Sequence, residues 1–122
     1  MLYTVRGLQG DTAGVDIRVR ILWKGEPRKV RTKDGVEHLV VEALVGDRTG
    51  TLTLALWDDC INMAGNRDVV DIKNGYVNRF KGRLRLNIGM YGSIEKVEDP
   101  SFPTVEEIST RHEQRRLRRR SS

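Results

Sequence analysis

Trp57, Tyr76 and Phe80 are the side chains of this 122-residue sequence best suited to bind rather than to build, because aromatics are only 6% of it and these three stand among basic residues. A flat ring accepts the face of any nucleobase, and such stacking is worth ~1–3 kcal/mol per base with little regard to sequence. Arg28, Lys29, Arg31 and Lys33 precede the rings, Lys81, Arg83 and Arg85 follow them, and Asn78 lies between Tyr76 and Phe80. Cations gathered in this way suit the phosphates of a nucleic-acid backbone. Each ring also has an ordinary reading. A loop, a helix or a partner chain can cover Trp57, and Phe80 alone is more often core than platform. Rings and cations expected on one surface favour stacking.

Catalysis needs convergent groups of another kind. His38 and His112 lie far apart, and with the lone Cys60 they make no zinc spacing. Asp58-Asp59 stands where a helical turn begins and reads as an N-cap rather than a metal ligand. Glu106-Glu107 is helix-start charge, favourable with the macrodipole. No phosphate-loop or dinucleotide-binding fingerprint occurs. The residues read as a binding module, not an enzyme, with no cofactor, metal or small-molecule substrate.

The length fits one domain, able to bury roughly two thirds of its unfolded surface without disulfides or metal. A formal charge of +5 with pI about 9.7 fits a polyanionic partner, and with 32% of residues charged the surplus acts where it clusters. Cys60 cannot form an internal disulfide and gives no sign of an oxidising compartment. No apolar run approaches the ~20 residues of a membrane helix. The first ten residues are no signal peptide. A cytoplasmic domain with no membrane partner is expected.

The elements that position the rings follow from periodicity. Residues 1–14 read as an irregular lead-in with one packed turn. Residues 15–23 alternate as a strand, with Val15, Ile17, Val19, Ile21 and Trp23 on one parity and Asp16, Arg18 and Arg20 on the other. Residues 24–35 are polar and basic, with Pro27 blocking a central ladder position and Lys33-Asp34-Gly35 marking a hairpin turn. Residues 36–45 form a strand apolar on both parities. After the turn cluster at Gly46–Gly50 comes a strand with Leu52, Leu54 and Leu56 inward and Thr51, Thr53, Ala55 and Trp57 outward. A short helical turn over 58–64 should use Ile61 and Met63 for apolar contact.

Residues 68–80 are the fourth strand, with Asn74-Gly75 suggesting a bulge before Tyr76, Asn78 and Phe80. Lys81-Gly82 makes a tight turn into residues 83–88, with Leu84, Leu86 and Ile88 inward and Arg83, Arg85 and Asn87 outward. Residues 93–97 are a short last strand. Thr104–Glu107 is a capping box opening a polar helix that frays into an Arg-rich end, expected to be a solvated terminus adding a little electrostatic attraction.

Five strands with a short helical segment between the third and fourth is the order of an all-β, Greek-key OB-fold barrel. Such barrels bind oligonucleotides on strands 2 and 3 and in the 1–2 and 4–5 loops. The division expected is an OB domain over 1–98 and a basic helix or flexible tail over 99–122. RNA suits the same surface as DNA, since stacking and phosphate contacts do not by themselves see the 2′-hydroxyl. An interaction scaffold that docks a protein on the Trp57 face is the reading from another class, because aromatics and arginines are enriched at protein interfaces too.

TKDG (32–35), VGDRTG (45–50), LWDD (56–59) and FKGRLRLNIG (80–89) resemble, in order, the motifs of the archaeal single-OB-fold single-stranded DNA-binding proteins. The human sensor-of-single-stranded-DNA B subunits belong to the same group. The resemblance covers roughly residues 8–97. It implies a sequence-tolerant binder of single-stranded DNA in replication, recombination and repair, with partners among the proteins of those processes. The family's stacking aromatics match Trp57, Tyr76 (tryptophan in some members) and Phe80. Relatives often carry a long tail, rich in glycine or proline, that recruits partners. Here the matching stretch is followed by a short Arg-rich segment.

Overall fold

The computed structural model describes residues 2–121, those at 115, 116 and 118–121 by their backbone alone. Its strands are β1 (Thr12–Lys24), β2 (Arg28–Arg31), β3 (Glu37–Asp47), β4 (Gly50–Trp57), β5 (Val69–Phe80), β6 (Arg83–Asn87) and β7 (Ser93–Val97). Helix α1 (Val105–Ser121) follows, and 3₁₀ turns form at Val5–Gly7 and Asp58–Met63. The hydrogen-bonded order β1-β3-β4-β6-β5 closes through pairing of β1 with β5. This is the five-stranded barrel expected, an OB fold. β2 is added to the outer edge of β3 and β7 to β5.

The apolar alternation fills the barrel. Val15, Ile17, Val19 and Ile21 from β1, Val41, Ala43 and Val45 from β3, and Leu54 and Leu56 from β4 are essentially inaccessible. Val70, Ile72, Val77 and Leu86 join them, with Leu84 and Ile88 partly buried at the margin. Asp47, itself buried, accepts from the Thr49 and Val5 N–H groups at 2.7 and 2.9 Å, so the β3–β4 turn also anchors the lead-in.

Several expectations need correction. Trp23 does not share the environment of Ile21. A register shift between them lets Trp23 pair with Leu44, and the ring is 60% exposed. The basic run is not all loop, for Arg28–Arg31 pairs with β3 as a strand. Asp58 does not cap the helical turn by its side chain; the N-cap is Trp57, without a side-chain bond. Met63 is half exposed and adds little to the core.

The capping box forms as expected, with Thr104 N–H donating to Glu107 Oε1 and Glu107 N–H to Thr104 Oγ1. The helix it opens is not polar throughout. Ile108 is buried, and a Cβ at Gly46 would lie 2.8 Å from its Cγ2, so the absence of a side chain at Gly46 is what lets α1 approach. Arg20 holds the segment before the helix through the Pro103 carbonyl at 2.6 Å. The backbone is helical to Ser121. The expectation of a solvated Arg-rich end concerns Arg115, Arg116, Arg118, Arg119 and Arg120, whose side chains lie outside the described residues.

Two features of the barrel wall yield measurable outcomes. Gly75 faces the wall of β6, where a Cβ would come within 3.0 Å of the Asn87 carbonyl and 3.2 Å of Ile72 Cγ2. Gly75→Ala should therefore destabilise the fold by ~1–3 kcal/mol in denaturant unfolding, the usual cost of overpacking. Arg18 grips Asp71 with two bonds of 2.6 and 2.8 Å and reaches Asp99 at 3.0 Å. The Arg18 guanidinium holds Asp71 below the usual carboxylate range; the Ser101 hydroxyl and then Arg18 do the same for Asp99. Carboxylates depressed on folding stabilise the protein above about pH 4 and lose that contribution as the pH falls through their folded values. Thermal unfolding of Arg18→Leu should accordingly depend less on pH than that of the parent between about pH 5 and 2.

Candidate nucleic-acid interface

Residues directly opposite across a β-ladder share a face, so register maps the outside of the barrel. Arg28 pairs with Val40, and Val40 with Trp57. Glu42 pairs with Ala55, Ala55 with Asn87 and Asn87 with Tyr76. Leu44, Thr53, Arg85 and Asn78 form the next row, and Arg83 pairs with Phe80. The three rings predicted from sequence therefore stand on one surface.

They do so because β5 changes parity. Val70 and Ile72 face the core, whereas beyond Asn74 it is Gly75 and Val77 that do. Asn74 takes φ +54°, a left-handed conformation that asparagine tolerates, and the β1–β5 register shifts opposite it. Tyr76 and Phe80 consequently lie outside, 41% and 42% exposed.

Each ring has a distinct support. Tyr76 packs against Gly89, where a Cβ would sit 3.2 Å from its Cε1. Trp57 is half-buried, with His38 edge-on at 5.8 Å between ring centroids. Asp58 fixes that imidazole, its Oδ2 2.6 Å from His38 Nδ1 and its Oδ1 accepting from the Leu39 N–H at 3.0 Å. The His38 contact first, and the Leu39 N–H second, hold the Asp58 carboxyl below its ordinary value. This is the role Asp58 takes in place of capping. His38, Asp58 and Gly89 had no part in the sequence reading of the site; only the pairing of β3 with β4 brings His38 to Trp57.

Phe80 lies over Arg85, the guanidinium carbon 4.5 Å from the ring centroid, with Lys81 Nζ at 5.5 Å. The Arg85 side chain is only 9% exposed and faces Glu42 at 3.7 Å, which also pairs with Arg28 at 3.2 Å. Its Nε–H is buried with no acceptor. An orphaned donor of this kind costs ~1–3 kcal/mol, more for a charged group such as this guanidinium. Arg28, Thr53, Phe80, Lys81, Arg83 and Arg85 line a groove of about 450 Å³.

Among the residues expected to contact phosphate or polar groups, the fold brings Arg28, Lys81, Arg83 and Arg85 to the Phe80 ring. Asn78 is exposed beside them and accepts from Asn87 Nδ2 at 3.1 Å. Lys29 and Arg31 pair with Leu39 and Glu37, on the opposite face of the β2–β3 arm from Arg28. Lys33 lies in the turn at the tip of that arm. Among the described residues no three His, Cys, Asp or Glu side chains converge as a metal site. Burial, then Asp59 and Asp58, push the Cys60 thiol above its ordinary pKa, so it is a poor nucleophile.

A barrel of this topology with exposed rings on its outer face defines an OB-fold binding protein. Residues 8–96 match the family described as single-stranded DNA binding protein Ssb-like, OB fold, and the chain belongs to that family. It is 35% identical over 104 residues to the single-stranded DNA binding protein Ssb of Saccharolobus solfataricus, covering 85% of this chain and 70% of that one. Replication factor A of Methanothermobacter thermautotrophicus is 32% identical over 126 residues, a match to 92% of this chain but only 16% of the relative. In fold it is similar to an OB domain from Thermoplasma acidophilum, with TM-score 0.70 at 24% identity over 80% of this chain and 88% of that one.

The division between core and face predicts unequal costs for two changes on one strand. Leu54 is fully buried, so Leu54→Ala should destabilise the fold by ~2–5 kcal/mol. Trp57→Ala should cost clearly less than the ~3–5 kcal/mol typical of a buried tryptophan. Denaturant unfolding of the two variants measures both.

Proposed function

We propose that this outer face binds single-stranded DNA with little sequence preference, as a coating protein of the strands that replication exposes. The observation carrying this reading is the register that sets Trp57, Tyr76 and Phe80 on one exposed surface with Arg28, Lys81, Arg83 and Arg85 around them. Bases stack on the rings, and the cations neutralise the phosphates between them. Arg85, fixed beneath Phe80, backs the ring from below and leaves the phosphates to the exposed cations around it. Paired bases keep their faces inside the duplex and cannot reach the rings. The sequence family, and relatives named for single-stranded DNA binding and for replication, support the reading.

Titration with oligo-dT, followed by tryptophan fluorescence, tests it. With about four phosphates neutralised, log K should fall against log salt with a slope of about −3, and duplex DNA should bind much more weakly. Phe80→Ala and Trp57→Ala should each weaken binding by ~1–3 kcal/mol. Equal affinity for duplex and single strand would overturn the proposal. Salt-independent binding to a protein partner on the Trp57 face would favour a docking scaffold.

A further inference from the structure

The platform groove does not end at the β5–β6 hairpin. Thr53, Arg83 and Leu84 also line a second, larger groove of about 1120 Å³ at the barrel mouth. Arg79 and Arg83 stand on its hairpin side, Arg6 on the side of the N-terminal 3₁₀ turn, and His112 of α1 on a further wall. Thr51 Oγ1 lies 3.5 Å from His112 Nδ1, so the helix sits directly against β4 here. Among the described residues no carboxylate lines this groove. In a sequence with 17 Asp and Glu against 22 Lys and Arg, a groove this wide without one is a selective surface. Arg6, Arg79 and Arg83 enter none of the ion pairs found among the described residues.

We propose that a strand leaving the platform at Arg83 continues into this groove, with its phosphates held by Arg6, Arg79 and His112, so that α1 forms one wall of the track. The inference rests on the single-strand reading of the platform and extends it. The occupant is the phosphate backbone of the same strand, for two reasons. The surface is cationic without counter-charge, and it is continuous with the ring-bearing groove. Its walls also differ from the platform in kind: among the described residues no Phe, Tyr or Trp ring lines it. Its arginines suit the phosphate backbone, with Val5, Leu8, Leu44, Leu52 and Leu84 as the aliphatic part of the wall, and it gains affinity from strand length rather than from stacking. The helix continues past His112 into a sequence containing five further arginines, Arg115, Arg116, Arg118, Arg119 and Arg120.

The experiment compares two oligo-dT lengths on the full chain, about 5 and about 15 nucleotides, near the two ends of the ~4–16 that an OB fold covers. The variants are Arg6→Ala/Arg79→Ala together and His112→Ala alone, each first shown by thermal unfolding to be folded. On the long oligonucleotide the double variant should lose affinity about tenfold, and its salt slope should shrink by about 0.7 for each phosphate that is no longer neutralised. His112→Ala should lower affinity for the long oligonucleotide in the same direction. Affinity for the short one should stay at the parent's value with both variants. Equal losses on both lengths, or no loss on either, overturn the inference while leaving the platform reading intact. If the parent binds neither length, the platform reading itself fails.

Discussion

The exposed rings depend on a one-residue change of phase in β5. A strand that kept the alternation of Val70 and Ile72 would turn residues 76, 78 and 80 into the barrel. Asn74 in the left-handed region and Gly75 against β6 absorb the extra residue, and every side chain beyond them changes sides. Val77 then completes the core, and Tyr76 and Phe80 are released from it. The same device operates once more in β1, where the register shift before Trp23 turns a large ring outward beside Leu44. Core and face are thus set by local irregularities of the ladder as well as by the apolar alternation.

Arg85 shows how a charge can serve such a surface without being free. Stacked beneath Phe80 and facing Glu42, it lies almost wholly buried in the groove floor. Glu42 holds Arg28 as well, so one carboxylate organises two guanidiniums. Arg83 and Lys81, exposed at the hairpin, are better placed to meet phosphates directly. The arrangement separates cations that shape the floor from cations that answer to solvent.

Much of this was legible in the sequence. The leucines of β4, the apolar parity of β1 up to Ile21, the Lys81-Gly82 turn with both residues at positive φ, and the capping box each carry a local signature that the fold honours. Asn74-Gly75 announced the bulge, so the outward parity of Tyr76 and Phe80 could be read. Trp23 could not be read, because the irregularity before it has neither glycine nor asparagine to mark it. Lys29 and Arg31 look equivalent to Arg28 in a basic run, and only a strand pairing invisible to composition separates their faces. The His38–Asp58 bond joins residues twenty apart in sequence, and Ile108 stands in a mostly polar helix, its burial dependent on a distant glycine.

The barrel's seam gives the face a further property. Trp57 belongs to the β3–β4 hairpin and Tyr76 and Phe80 to the β5–β6 hairpin. The two hairpins are joined by backbone pairing where β4 runs parallel to β6, with Thr53 opposite Arg85, Leu54 opposite Leu86 and Ala55 opposite Asn87. Parallel ladders are slightly weaker per residue than antiparallel ones, and distant segments associate slowly. The platform is therefore complete only where these two locally paired hairpins are docked on each other. A strand lying across both would span that joint like a clasp, and the molecule's grip on its ligand and its own mechanical closure would become the same event.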